Sequence, residues 1–194
     1  MIEWSKTRNF AKVQDFHSSG REVLYSFVCE PFPDNLDAYI TQEAKILASK
    51  TASIAYGSRY PSGDGQHQQW HIKEETAYAF LTETHTEFQP TYASAQSEFN
   101  ILWPLSLHFL ERPIPVSGHV RSNTGVPLAA SIQVTQAPNV FWKSSPTHGA
   151  YHLFLPDGQY TVTFSATNHI ATTRTITVSN NVPSVNLDVI LQRI

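Results

Sequence analysis

The sequence predicts an α/β unit followed by an all-β sandwich, and three observations carry that expectation. The first is an apolar run at the start of Tyr78–Thr84, typical of a strand buried on both faces, that closes on the carboxylate of Glu83. The second is a helical period through Leu36, Ile40, Ala44, Leu47 and Ile54, with Gly57 as a stop signal. The third is a change of grammar at Pro113. From there seven short runs (116–121, 129–135, 140–143, 150–155, 160–166, 172–178 and 185–191) begin ten to thirteen residues apart. Several alternate cleanly, as in Tyr160, Val162 and Phe164, which signals an antiparallel β-sandwich.

Taken in order, Ile2, Trp4 and Phe10 read as a helix end feeding a strand over 12–16. His17-Ser18-Ser19-Gly20 stops that strand, and 22–27 reads as the next. The helix over 35–55 is capped by Asp34 or Asn35. A polar, flexible loop over 58–69 leads through Trp70 to the strand that carries Glu83. A second helix is expected over 94–112. It is apolar nearly all round through Phe99, Leu102, Trp103, Leu107 and Leu110, and Pro104 should kink it. Asp157-Gly158 is a hairpin turn between two alternating runs.

Composition excludes several classes of function. The chain has 194 residues, 41% hydrophobic and 15% charged, with net charge −3, which suits soluble domains with real cores. No basic run suits a nucleic acid, and the greasiest stretch, 101–110, is too short to span a bilayer. The first residues lack the apolar core and cleavage site of a secretory signal. One cysteine, Cys29, allows neither an internal disulfide nor a Cys-rich zinc cluster, and a buried inert thiol is its expected role.

Ligands in open α/β sheets bind outside the carboxyl ends of strands, so Glu83 is a candidate active-site base. Upstream stand His17-Ser18 at another strand end, Leu24-Tyr25, and then Tyr60 and Ser62-Gly63 before Trp70. This order resembles the C-terminal part of the catalytic domain of the zinc metallocarboxypeptidases, the carboxypeptidase A-like family. The runs around Val116, Ala130, Tyr151 and Gly158 resemble the transthyretin-like, carboxypeptidase regulatory-like sandwich appended to many members. The resemblance implies a truncated carboxypeptidase-like mixed sheet with flanking helices over 1–112 and a transthyretin-like sandwich over 113–194.

It also implies a hydrolase chemistry. His17 would be a zinc ligand, and Glu83 would act as general base on the metal-bound water. Tyr60 would close over the C-terminal residue of a peptide substrate with a free C-terminus, with Ser18 and Gln68 lining the substrate site. The absence of a carboxylate among His67, Gln68 and Gln69 implies no preference for C-terminal Lys or Arg. Relatives of this kind act outside the cytoplasm, in secreted or periplasmic settings, on peptides or peptidoglycan stems.

The pattern departs from that family in one respect. Only sixteen residues precede His17, so the upstream His-x-x-Glu zinc motif is missing, and His71-Ile-Lys-Glu74 has the spacing in the wrong place. The expectation is therefore a fragment that binds Zn only if a separate N-terminal half supplies the other ligands. His85 is expected to line the pocket, and His108, His119, His148, His152 and His169 to be surface or satisfied positions. The alternative is a non-catalytic binding or folding module with a vestigial front half. A zinc-dependent deacylase of N-acyl amino acids is a third reading, disfavoured by the loop pattern and the tail.

Overall fold

The computed structural model describes residues 2–6, 8–28, 32, 34–179 and 184–194, and the expected buried thiol at Cys29 lies outside them. The chain divides into two compact units. One comprises 12–72 and 78–112; the other comprises 1–11, 73–77 and 113–194 and opens with the one-turn α1 (Ile2–Ser5).

The unit of 12–72 and 78–112 is built on a four-stranded sheet of β1 (Lys12–Ser18), β2 (Glu22–Leu24), β3 (Gly57–Arg59) and β4 (Tyr78–Thr84). Residues 78–82 are all buried, which explains their continuous apolar character. β4 runs parallel to β1, from Lys12↔Tyr78 to Ser18↔Thr84, and antiparallel to β2, with Leu24 opposite Leu81. β3 lies beyond β2, so among the described residues the strand order is β1-β4-β2-β3, with β1 at one edge.

Among the described residues this part of the chain holds α2 (Asp34–Ala48), α4 (Tyr92–Glu111) and, through residue 72, most of α3 (His67–Glu75). α2 buries Leu36, Ile40, Ala44 and Leu47 and then stops well short of residue 55. At its end Ser49 Oγ donates to Ile46 O at 2.6 Å and Thr51 Oγ1 to Ala48 O at 3.1 Å. Such short hydroxyl side chains compete with the helical ladder. The stretch expected as a flexible loop holds β3 and the start of α3. α4 begins at Thr91, whose side chain accepts from Ser94 N at 3.2 Å. Its far end is closed by Lys12 Nζ, which donates to the carbonyls of Phe109 (3.0 Å), Leu110 (2.8 Å) and Arg112. Burial, then Arg112, hold the Lys12 ammonium below its ordinary pKa.

The other unit packs two sheets of alternating strands. β10 (Thr172–Val178), β9 (Gly158–Ser165), β6 (Ser131–Val134) and β7 (Phe141–Lys143) form one antiparallel sheet. In the other, β5 (Val116–Ser122) pairs with β8 (Ala150–Leu153), β11 (Val185–Asn186) and β12 (Val189–Leu191). Val116, Val120, Ile132, Leu153, Val162, Phe164 and Leu191 form the core and are fully buried. β11 and β12 run parallel to β5, so this is not the purely antiparallel sandwich the spacing suggests.

The expected fold class therefore needs correction. Among the described residues the chain is of mixed class, with three small sheets, rather than a truncated carboxypeptidase-like α/β sheet followed by a transthyretin-like sandwich. An apolar run reports burial; it carries no information on strand direction or neighbour.

Candidate functional site

Two places in the unit of 12–72 and 78–112 concentrate chemistry, one on each face of the β1–β4 pair. Adjacent residues of a strand point to opposite faces, and register partners share a face. Asp15, His17 and the register partner of His17, Glu83, thus leave one face. Lys12, Gln14 and Phe16 leave the other.

On the first face, Asp15 Oδ2 lies 3.4 Å from His17 Nε2 and 3.5 Å from His67 Nδ1. His67 and His71 stand four residues apart on α3, which places them on one side of the helix. Their Nε2 atoms are 3.1 Å apart and their rings meet edge to face at 4.6 Å. One carboxylate and three imidazoles thus form a chain. Glu83 Oε2 is buried without a hydrogen-bond partner among the described residues.

The other expected site residues are dispersed. Ser18 Oγ donates to Phe88 O at 2.7 Å. Gln68 is buried, its Nε2 donating to Gln66 Oε1 at 2.7 Å and its Oε1 without a partner. The Tyr60 hydroxyl donates to the Asp37 carboxylate, which raises the tyrosine pKa, and its ring packs 4.7 Å from that of Tyr25. Tyr60 is therefore tethered to α2. His85 is buried, with Nε2 2.7 Å from Ser94 Oγ. His152, expected at a surface or satisfied position, is buried; its ring has a hydrogen bond with the Glu75 backbone, while Nε2 lacks a partner among the described residues, and desolvation lowers its pKa to about 4.

On the second face, α4 lies over β1 and leaves a cavity of about 650 Å³. Lys12, Gln14, Phe16, Phe99, Trp103 and Leu110 are among its walls. Phe16 is 48% exposed, Phe99 57%, Trp103 51% and Leu110 66%, and the Phe99 and Trp103 rings stand 5.8 Å apart. Residues 99, 103 and 110 follow a helical period, so α4 presents an apolar stripe beside the open edge of β1.

Behind this groove, α4 is locked down by Glu98. Arg21 donates to both carboxylate oxygens, Nε to Oε1 at 2.9 Å and Nη2 to Oε2 at 2.7 Å. The Tyr56 hydroxyl and the His85 N–H (3.1 Å) also donate to Oε1. The Arg21 hydrogen bonds, helped by those of Tyr56 and His85, lower the Glu98 pKa to about 2. Burial and the same carboxylate push the Tyr56 pKa up. Nearer the C-terminal end, Arg112 Nε donates to Glu43 Oε2 at 2.8 Å, and the Tyr78 hydroxyl donates to the same oxygen at 2.6 Å. Two buried carboxylates, one on α2 and one on α4, thereby fix the walls of the groove.

No family model matches the chain, and no curated protein matches it. Two of the solved structures it matches are crystal structures of type II cohesin–X–dockerin complexes from Acetivibrio cellulolyticus. One carries an N-terminal interface mutation, with 16% identity over 40% of this chain and 56% of that chain and a TM-score of 0.31. The other carries a C-terminal interface mutation, with 17% identity over 39% of this chain and 55% of that chain and a TM-score of 0.30. The chain thus spans little more than half of each, and likenesses of this size carry no assignment.

These findings correct the expected identity. Nothing among them supports a zinc metallocarboxypeptidase, a hydrolase activity or a peptide substrate with a free C-terminus. Among the described residues, no group of three or more His, Cys, Asp or Glu side chains is placed to hold a metal ion. No helix of the described residues is long and apolar enough to cross a membrane. Short motifs such as His-Ser and Leu-Tyr at strand ends recur by chance, and their order along the chain misled the reading.

The sequence reading named the groove residues only as apolar helix positions. The signal was present in the all-round apolar character of α4, which required cover on two sides. It missed the Asp15–His67–His71 chain because it places the start of α3, including His67, in a loop.

Proposed function

We propose that the chain is a non-catalytic protein-binding module that receives an extended apolar segment of a partner polypeptide in the groove between β1 and α4. The observation that carries this reading is the pairing of an open strand edge with an exposed aromatic stripe. An edge strand presents unpaired backbone N–H and C=O groups, and only another extended chain satisfies them in register. A helix or small molecule seated in the groove would leave that edge bare. Phe99, Trp103 and Leu110 would take alternate side chains of the added strand, as aromatic anchors do at interfaces. The buried Glu98 and Glu43 networks support the reading by holding α4 in place before any partner arrives.

The test is a display library of extended peptides selected on the protein, followed by calorimetry of the enriched peptides. Apolar, alternating sequences are expected, with binding reduced at least about 30-fold by Trp103→Asp, since anchor residues contribute ~2 kcal/mol or more. Backbone amides of β1 should gain protection from hydrogen exchange in the complex. Enriched peptides that bind Trp103→Asp as tightly as the parent would overturn the reading. So would binding that leaves the β1 amides unprotected. Self-association that Trp103→Asp abolishes, measured by sedimentation, would reassign the occupant to a second copy of the chain.

A further inference from the structure

The chain Asp15–His67–His71 has a property the groove does not use. Asp15 Oδ2 lies 3.5 Å from Nδ1 of His67, where a proton on that nitrogen would face the carboxylate and leave Nε2 its lone pair. That lone pair points at His71 Nε2, 3.1 Å away. Two imidazole nitrogens so close either share one proton or share one cation. With metal–nitrogen bonds of about 2.0–2.1 Å, a 3.1 Å separation corresponds to a ligand angle of about 100°. That lies between the octahedral and tetrahedral values, so the spacing of the two nitrogens suits a pair of ligands on one ion.

The supporting geometry agrees. His71 is buried, packed 4.9 Å from the Trp70 ring, and so is held in place, whereas His67 is a third exposed and forms the entrance. The i, i+4 spacing on α3 sets the two nitrogens before any ion arrives. A carboxylate on the far nitrogen of a metal-binding histidine fixes its tautomer and raises its basicity. With no third ligand of this kind among the described residues, water completes the coordination.

We propose that α3 carries a two-imidazole chelate for a first-row divalent transition-metal ion, with His67 and His71 as ligands and Asp15 as the group that orients His67. His17 is not a ligand in this arrangement; it competes with His67 for the same oxygen of Asp15. Imidazole pairs suit Zn²⁺, Ni²⁺ and Cu²⁺, and the site should ignore Mg²⁺ and Ca²⁺, which demand oxygen ligands. The proposal stands independently of the groove.

The experiment is calorimetric titration of the full chain with Zn²⁺ and with Ni²⁺, Mg²⁺ serving as control. One equivalent should bind. His67→Gln should abolish binding, Asp15→Asn should weaken it by about 10-fold, and His17→Gln should leave it unchanged or tighter. Substoichiometric Ni²⁺ should broaden the ring resonances of His67 and His71 while sparing those of His119 and His169. Because His67 is partly exposed, its variant keeps the fold where a substitution at buried His71 need not. Equal binding by wild type and His67→Gln, no binding at all, or loss of binding in His17→Gln alone would each overturn the proposal.

Discussion

Glu98 offers the sharpest test of how the groove is held. Replacing it with Gln keeps the shape of the side chain but removes the charge that Arg21 grips with two hydrogen bonds. The native carboxyl is lowered from an ordinary 4.5 to about 2. At about 1.4 kcal/mol per pKa unit, that difference corresponds to about 3 kcal/mol of stability at neutral pH. Glu98 is only 4% exposed, so solvent screening takes little from that figure. Breaking a buried pair by deleting one partner costs about 3–5 kcal/mol, an independent route to a similar size. The sign follows from the folded value lying below the unfolded one. The contribution is complete above about pH 4.5 and is lost as pH falls toward 2. Urea denaturation followed by far-ultraviolet circular dichroism reads this directly, because the long helices α2 and α4 dominate the signal. The gap between wild type and Glu98→Gln should be about 3 kcal/mol at pH 7 and about half that at pH 3. A gap below ~1 kcal/mol at pH 7, or one that does not shrink on acidification, would refute the reasoning.

Two further outcomes concern the unit that contains β5 to β12. His152 is held neutral, with a folded pKa of about 4 against an ordinary 6.5. The unfolded chain therefore takes up the proton first, and stability should fall by about 3 kcal/mol as pH drops from 6.5 to 4. His152→Leu should remove that slope; a variant that keeps the wild-type pH profile would show that the imidazole is not its source. A methyl group at Gly118 would meet Leu187 O at 2.1 Å, so Gly118→Ala must push β5 away from the 185–188 segment. The cost should be about 1–3 kcal/mol or more by thermal denaturation, while Gly63→Ala, with nothing near, should be neutral. Equal melting of the two variants would contradict the close approach.

Much of the local structure was legible because local structure writes a period into the sequence. Tyr78–Thr84 shows itself as a buried strand through its unbroken apolar start. The alternation of Tyr160, Val162 and Phe164 marks the inward face of β9, all three being buried. α3 left no such trace, since its buried positions include Gln68, Gln69 and His71 rather than an apolar stripe. Tyr60 reads as a loop aromatic poised to move, yet its hydroxyl is bound to Asp37, about 80 Å of fully extended chain away along the sequence but adjacent in the fold.

By itself, then, the sequence determined the inward face of strands such as β9 and roughly where strands and helices begin, because hydrophobic periodicity is a property of neighbours along the chain. The tertiary structure alone decided that β1 sits at an edge, that β11 and β12 join β5 in parallel, and that Asp15 meets His67. Those outcomes depend on which distant segments satisfy one another's backbone groups and charges. No window of neighbouring residues encodes that choice.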